Sequence, residues 1–286
     1  KLLAALARCR RFSPLGLAFA QDRFVPEEEM QFAAIAVLLE DGSAFLSFRG
    51  TDATLVGWKE DFSMSFLDAV PAQQAALDYV ERFASLFPGS LRLGGHSKGG
   101  NLAVFAGALA RIKVRDRILA IYNNDGPGFT RLVLDSPGYQ ELLTRLHTFI
   151  PQSSVVGLLL EHDEPHTVVR SRQIGLLQHD PYSWEVEGGS FLQAEEITPG
   201  SRMADQAIKG WLAGLSPQER SQFVDSLFHL LSAGEASTTA DLLQPRSLQA
   251  ALRSLADDRD GTRRTLVEGL IQLARSAASV WRENVP

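Results

Sequence analysis

The sequence predicts an α/β fold built on a mostly parallel sheet flanked by helices, followed by a helical C-terminal segment. Three observations carry this. Short apolar runs rich in β-formers alternate with longer stretches of helical spacing, the order of a parallel sheet with helices on both faces. A glycine-bracketed turn, Gly95-His96-Ser97-Lys98-Gly99, joins one such run to a helix. Beyond Thr198-Pro199-Gly200 the spacing is helical throughout and no convincing strand follows. Residues 1–198 therefore read as the core and residues 199–286 as a helical segment packed on it or capping it.

Phe32 to Leu39 and Ala44 to Phe48 read as two strands joined by an Asp41-Gly42 hairpin turn. Pro71 to Phe87 places Ala75, Leu77, Val80, Phe83 and Leu86 at helical spacing and stops at Pro88-Gly89. A strand, Leu91 to Leu93, leads into the glycine turn, and Asn101 to Ala110 is apolar on nearly every side, as a helix buried on a sheet must be. Ile118 to Tyr122 is the next strand. A helix at Tyr139 to Leu146, strands at Thr148 to Ile150 and Thr167 to Val169, and a hairpin around Gly188-Gly189 within Trp184 to Gln193 follow. In the tail, helical periodicity covers Met203 to Leu215, Pro217 to Leu231 and Thr262 to Trp281, with Ser216-Pro217 a helix start.

Composition narrows the function. With 286 residues, 45% hydrophobic and 22% charged, the chain can bury a large core. A net charge of -6 argues against a nucleic-acid partner, which calls for a basic excess on one face. The single cysteine, Cys9, leaves no internal disulfide and suits a reducing, cytoplasmic setting. No apolar run is long enough to span a bilayer, and Arg8, Arg10 and Arg11 interrupt the opening segment, so no signal peptide is expected. Histidine and cysteine spacing offers no zinc site, and no metal or organic cofactor is expected.

The chemistry begins at Ser97. A serine on a tight strand-to-helix turn needs glycines on both sides to relieve crowding, and Gly95 and Gly99 supply them. The following helix presents backbone N–H groups to any oxyanion formed there. The pattern resembles the nucleophile turn of an α/β-hydrolase. It predicts a strained backbone at Ser97 and a hydroxyl open to a pocket.

Phe48-Arg49-Gly50-Thr51 with Trp58, and then Gly95-His96-Ser97-Lys98-Gly99-Gly100-Asn101-Leu102-Ala103, resemble the class 3 (triacylglycerol) lipase branch of the α/β-hydrolases. The stretch from about residue 30 to Trp184 also resembles a group of bacterial proteins in the same superfamily. The resemblance implies that Thr51 is an oxyanion-hole residue, with Trp58 and Asp61 as its structural neighbours, and that the Lys98 backbone N–H is the second donor. Those lipases carry Leu after the serine. Lys98 instead puts a cation beside the site which, with no long apolar segment around the elbow, favours short or polar acyl esters.

In this fold the catalytic histidine follows the last core strand. His96 lies in the elbow and cannot turn back onto Ser97. His147, His162 and His166 come too early, and His229 belongs to the tail. His179, in the loop Gln178-His179-Asp180-Pro181, is the candidate, with a ring nitrogen expected near the Ser97 hydroxyl. For the acid, the resembling lipases place Asp where this chain has Ser154, so the carboxylate must come from elsewhere or the site is silent. Asp125 closes the strand beside the nucleophile strand and leads; Asp163 competes through its place in chain order.

Other features read as structural: Trp58, Trp184, Trp211 and Trp281 as core or rim packing, Glu27 to Glu29 as a solvated run, and Asp257, Asp258 and Asp260 as a helix-connecting loop rather than a calcium loop. The sequence thus predicts a serine hydrolase of a carboxylic ester or related acyl bond, with a small acyl substrate as its partner. The alternatives are a silent hydrolase fold used as a scaffold, and a thioesterase or peptidase with the same triad. The C-terminal helices, or the segment Asp52 to Phe66, are expected to cover the site as a lid.

Overall fold

Seven strands lie side by side in the order in which they occur in the chain. The structure is a computed structural model and describes residues 2–257 and 261–284. In the first half, α1 (Leu2–Leu6), β1 (Gly16–Val25), β2 (Met30–Leu38) and β3 (Ala44–Phe48) precede α2 (Leu55–Ser63) and α3 (Pro71–Leu86). Next come β4 (Leu91–His96), α4 (Lys98–Leu109), α5 (Ile112–Arg115), β5 (Ile118–Asn124), α6 (Arg131–Leu134) and α7 (Pro137–Leu142). The core closes with β6 (Leu146–Pro151), β7 (His166–Val169) and a small hairpin of β8 (Val186–Glu187) and β9 (Ser190–Phe191). The tail holds α8 (Pro199–Ala213), α9 (Pro217–Leu231), α10 (Pro245–Asp257) and α11 (Thr262–Asn284).

Strands β1 to β3 pair antiparallel and β3 to β7 pair parallel. The Asp41-Gly42 turn behaves as the sequence predicts, with Gly42 at φ 77° and the Asp41 carboxylate accepting from the Ser43 N–H. Each parallel crossover advances the sheet in the same direction. Helices α3, α4 and α7 pack side by side into a layer that covers the sheet, as the sequence pattern of a helix-flanked parallel sheet predicts. Against that layer the inward residues of β2 to β5, among them Phe32, Leu46, Leu93 and Ile121, bury completely with Tyr79, Leu102 and Phe105. On the other face the Tyr122 ring stacks on Phe45 and His147, and Phe191 of the small hairpin covers Phe149.

Besides the short helices α1, α5 and α6, three elements depart from the sequence prediction. β1 is an added edge strand whose alternation is broken by a bulge between Ala18 and Gln21, which hides its period of two. Helix α2 forms where only a covering segment is predicted; Asp52 accepts from the Thr54 N–H, and Thr54 caps the helix by accepting from Gly57 N–H. Helix α10 also goes beyond the prediction. Asp257 ends it, and Asp258 and Asp260 lie outside the described residues.

The tail helices pack on one another and then on the core. Leu55 of α2 joins Val224 and Phe228 of α9 in a buried cluster, and the Leu55 N–H donates to the Ser237 carbonyl. At its start α8 is pinned to the loop after β6: the Thr198 N–H donates to the Gln152 carbonyl and the Ser201 hydroxyl to the Ser154 carbonyl. Among the described residues no helix is long and apolar enough to cross a membrane.

Candidate active site

Register alone assembles the site. Phe48 pairs with Gly95 and His96 with Asn124, so Thr51, Ser97 and Asp125 follow the carboxyl ends of three adjacent strands. Ligand sites of open parallel sheets form at that edge. Ser97 turns the chain from β4 into α4 at φ 57° and ψ −134°, a conformation that L-residues seldom adopt. Its N–H donates to the Asn124 carbonyl and its carbonyl accepts from Gly100 N–H, both at 2.9 Å, so the turn is held from both sides. A Cβ on Gly95 would lie 2.4 Å from the Gly99 backbone, and one on Gly99 would lie 2.3 Å from the Phe48 carbonyl oxygen. Only glycines allow this turn beside β3.

Asp125 is fully buried and also has a positive φ, of 53°. Its N–H donates to the Phe149 carbonyl at 2.7 Å. Gly126 N–H donates to Asn123 Oδ1, while Asn101 ties the Pro127 and Gly128 carbonyls to α4. Asp125 Oδ2 lies 2.6 Å from His179 Nδ1. Its Oδ1 accepts from the Ser154 hydroxyl at 2.5 Å and from Gly157 N–H at 3.2 Å. Ser154 therefore does not face His179 in place of a carboxylate; it donates to the Asp125 carboxylate that pairs with His179. Asp163 pairs instead with Arg131 at the surface, 3.4 Å away.

His179 is held through its backbone as well as its ring. Burial, with the neighbouring His179, pushes the His96 imidazole down to about 4, so the ring is neutral at physiological pH. A carbonyl can only accept, so His96 Nε2 carries a proton and donates it to the His179 carbonyl at 2.6 Å. The preceding Gln178 accepts from Ser153 N–H, and its own carbonyl accepts from Trp184 Nε1. Ser97 and His179 line one cavity, and no hydrogen bond closes between them in this structure. Such catalytic bonds commonly tighten only around substrate.

Thr51 sits where the β3 loop meets the elbow. A Cβ on Gly50 would lie 2.6 Å from the His96 carbonyl oxygen, so glycine lets the two turns approach. The Thr51 hydroxyl donates to Asp61 Oδ2 and is not free for another acceptor while Asp61 is ionised. Burial pushes Asp61 up to about 6 against the opposing pull of Lys98 and Thr51. The Lys98 ammonium does not face the site as the sequence predicts. Its side chain is 0% exposed and lies 2.8 Å from Glu60 Oε2, so it presents no cation to a substrate.

The cavity holds about 420 Å³ and is mostly apolar. Trp58 and Phe62 of α2 form one wall, Val156, Leu159 and Leu160 another, and Ile208, Trp211, Leu212, Phe223 and Val224 of α8 and α9 the third. Both segments predicted to cover the site thus contribute to it. Trp58 and Trp211 line the cavity instead of only packing, while Trp184 is buried and Trp281 exposed. His96, Gln178 and Glu60 are the residues sequence reasoning missed. A buried ammonium requires a carboxylate, but nothing in the sequence shows that Lys98 is buried, so it does not point to Glu60. Among the described residues no cluster of His, Cys, Asp or Glu has the make-up of a metal site.

A mostly parallel sheet with a strained serine elbow at its carboxyl edge defines a lipase-like α/β-hydrolase fold. The chain belongs to the Mbeg1-like family, whose model matches residues 6–229. No curated protein matches it. Among solved structures it is similar to the Rhizomucor miehei lipase propeptide complex, at 13% identity and TM-score 0.42, covering 59% of this chain and 62% of that one. It is also similar to a triacylglycerol lipase from Penicillium expansum, at 10% identity and TM-score 0.42, covering 63% and 74%. The M37 lipase aligns over 97% of this chain and 90% of its own, at 11% identity and TM-score 0.44. The chain spans less than two thirds of the Rhizomucor miehei lipase chain, which it covers to 62%.

Proposed function

We propose that the chain is a serine hydrolase that cleaves the ester of an apolar acyl group through an acyl-enzyme. The observation that carries this reading is that Ser97, on its strained turn, and the His179–Asp125 pair line the same apolar cavity. Ser97 Oγ attacks the carbonyl carbon and passes its proton to His179 Nε2, while Asp125 stabilises the imidazolium through Nδ1. The oxyanion is met by the backbone N–H groups of Lys98 and Thr51. Collapse of the tetrahedral intermediate expels the alcohol, which takes the proton from His179, and water then repeats the sequence to release the acid.

Hydrophobic lining and the burial of Lys98 move the substrate away from the polar esters that the sequence favours and toward an aliphatic acyl chain. A silent scaffold is the weaker reading, since its main support was Ser154, and Asp125 supplies the carboxylate. Thioesters share the mechanism and belong in the same assay. Hydrolysis of p-nitrophenyl esters of increasing chain length, wild type against Ser97→Ala, tests the proposal. Turnover by wild type alone, rising from acetyl to medium chains, supports it; equal rates for the two proteins would refute it.

A further inference from the structure

Lys98 opens α4 immediately after the nucleophile with its side chain wholly buried. A cation there meets both the positive end of the helix dipole and the loss of water. An aliphatic residue would avoid both penalties. The ammonium is 2.8 Å from Glu60 Oε2, 3.1 Å from the Gln31 carbonyl and 3.6 Å from Asp61 Oδ1. Glu60, also fully buried, accepts from Gln31 N–H at 3.1 Å and from Ala72 N–H at 2.7 Å, which ties α2 to β2 and to the first turn of α3. Asp61, the next residue on α2, holds the Thr51 hydroxyl with Oδ2, and its Oδ1 is buried with no hydrogen-bond partner.

We propose that Lys98 is a positioning residue for the oxyanion hole: through Glu60 and Asp61 its side chain fixes Thr51 against the backbone N–H that Lys98 itself presents. The inference rests on the hydrolase reading of the site. One end of Lys98 is set by the first turn of α4, and the other grips the helix that carries Asp61. Both halves of the hole then hang on a single side chain, which explains why the chain keeps a buried charge where an aliphatic residue would fit.

The coupling is electrostatic as well as geometric. An ionised Asp61 accepts the Thr51 hydroxyl's hydrogen bond and locks it, whereas a protonated Asp61 donates to Thr51 Oγ1 and leaves the Thr51 O–H free for another acceptor. Lys98 from α4 and Thr51 from the β3 loop favour the ionised form, and Glu60 on the same helix opposes it. Arg49, His179 and Arg220 share the cavity lining with Asp61 from other elements.

The test compares wild type, Lys98→Met, and Lys98→Met combined with Glu60→Gln. The double variant removes the Glu60 charge that Lys98→Met would otherwise leave buried without its cation, and so guards against a simple folding failure. The readouts are kcat and KM on a soluble p-nitrophenyl ester across pH, and the Asp61 carboxyl titration by ¹³C NMR. Loss of one oxyanion donor costs about 10²–10³ in kcat, so a displaced one is expected to cost about tenfold to hundredfold, with KM nearly unchanged. The Asp61 titration should move to higher pH in both variants. A purely structural role would lower thermal stability and, because a cation 3.6 Å from Asp61 is gone, would still shift its titration, but it would leave kcat per folded molecule unchanged. That result in the folded double variant overturns the inference and leaves the hydrolase reading intact. A wild type that neither hydrolyses acyl esters nor is acylated at Ser97 overturns both.

Discussion

His179 Nδ1 and Asp125 Oδ2 lie 2.6 Å apart although 54 residues separate them in the chain. The contact depends on two loops built independently. Asp125 is fixed by strand β5 and by donors from Ser154 and Gly157, and His179 by His96, Gln178 and Trp184. In the proposed mechanism a carboxylate so positioned would orient the imidazole and balance its charge.

Asp125→Asn keeps the shape of the buried side chain while removing its charge. Loss of a triad carboxylate in this way costs about four orders of magnitude in kcat. Asp163→Asn removes only a surface pair with Arg131 and should leave kcat within about twofold. Steady-state kinetics on one ester, with far-UV circular dichroism to verify folding, separates the two. Equal rates for both variants would contradict the assignment of Asp125.

His96 sets a pH limit on stability. Its unfolded value lies near 6.5, while burial lowers the folded value to about 4. Between those values the unfolded chain binds a proton that the folded chain refuses, so stability is complete above 6.5 and falls as pH drops toward 4. Thermal melts of wild type and His96→Phe from pH 8 to pH 4.5 should therefore converge on acidification, with wild type losing more. The variant should also lose about tenfold in kcat, because the His179 carbonyl loses its donor and the ring is held less firmly.

Asp61 works in the opposite sense. Its folded value is raised from 3.8 to about 6, so the fold favours the protonated acid, and stability falls as pH rises through that interval. Asp61→Asn should raise the melting temperature above pH 6, with little gain near pH 4, while reducing kcat through the freed Thr51. A variant that melts lower than wild type at pH 8 would show that Asp61 contributes more to the fold than its burial costs.

Cavity shape should set chain-length preference. Ile208 of α8 lines the apolar chamber, and Ile208→Trp narrows it without touching Ser97, His179 or Asp125. The expected outcome is unchanged turnover of acetyl esters and a rise in KM of about tenfold for medium-chain esters. A uniform drop across the series would place the acyl chain elsewhere.

Local chemistry made part of this legible in the sequence. Gly95 and Gly99 around Ser97 state the turn outright, since nothing larger fits, and β-rich runs at Ala44 to Phe48 and Ile118 to Tyr122 mark the strands on either side. The place of Asp125 beside His179 was foreshadowed because it closes a strand adjacent to β4, although chain order kept Asp163 in contention. The Lys98–Glu60 pair was not readable: the partners lie 38 residues apart, and no register links a helix start to the middle of α2. β1 was hidden by its bulge. Helix α10 was missed although its pattern is legible: Leu248, Ala251, Leu252 and Leu255 recur at helical spacing after Pro245.

The central claim is that Ser97 is an activated nucleophile, and a fluorophosphonate probe reads this directly because it modifies only serines poised to attack. Intact-mass and peptide mapping after labelling should find one adduct, on the peptide containing Ser97. It should be absent in Ser97→Ala and strongly slowed in Asp125→Asn. An unlabelled wild type, or an adduct on another serine that survives Ser97→Ala, would contradict the account.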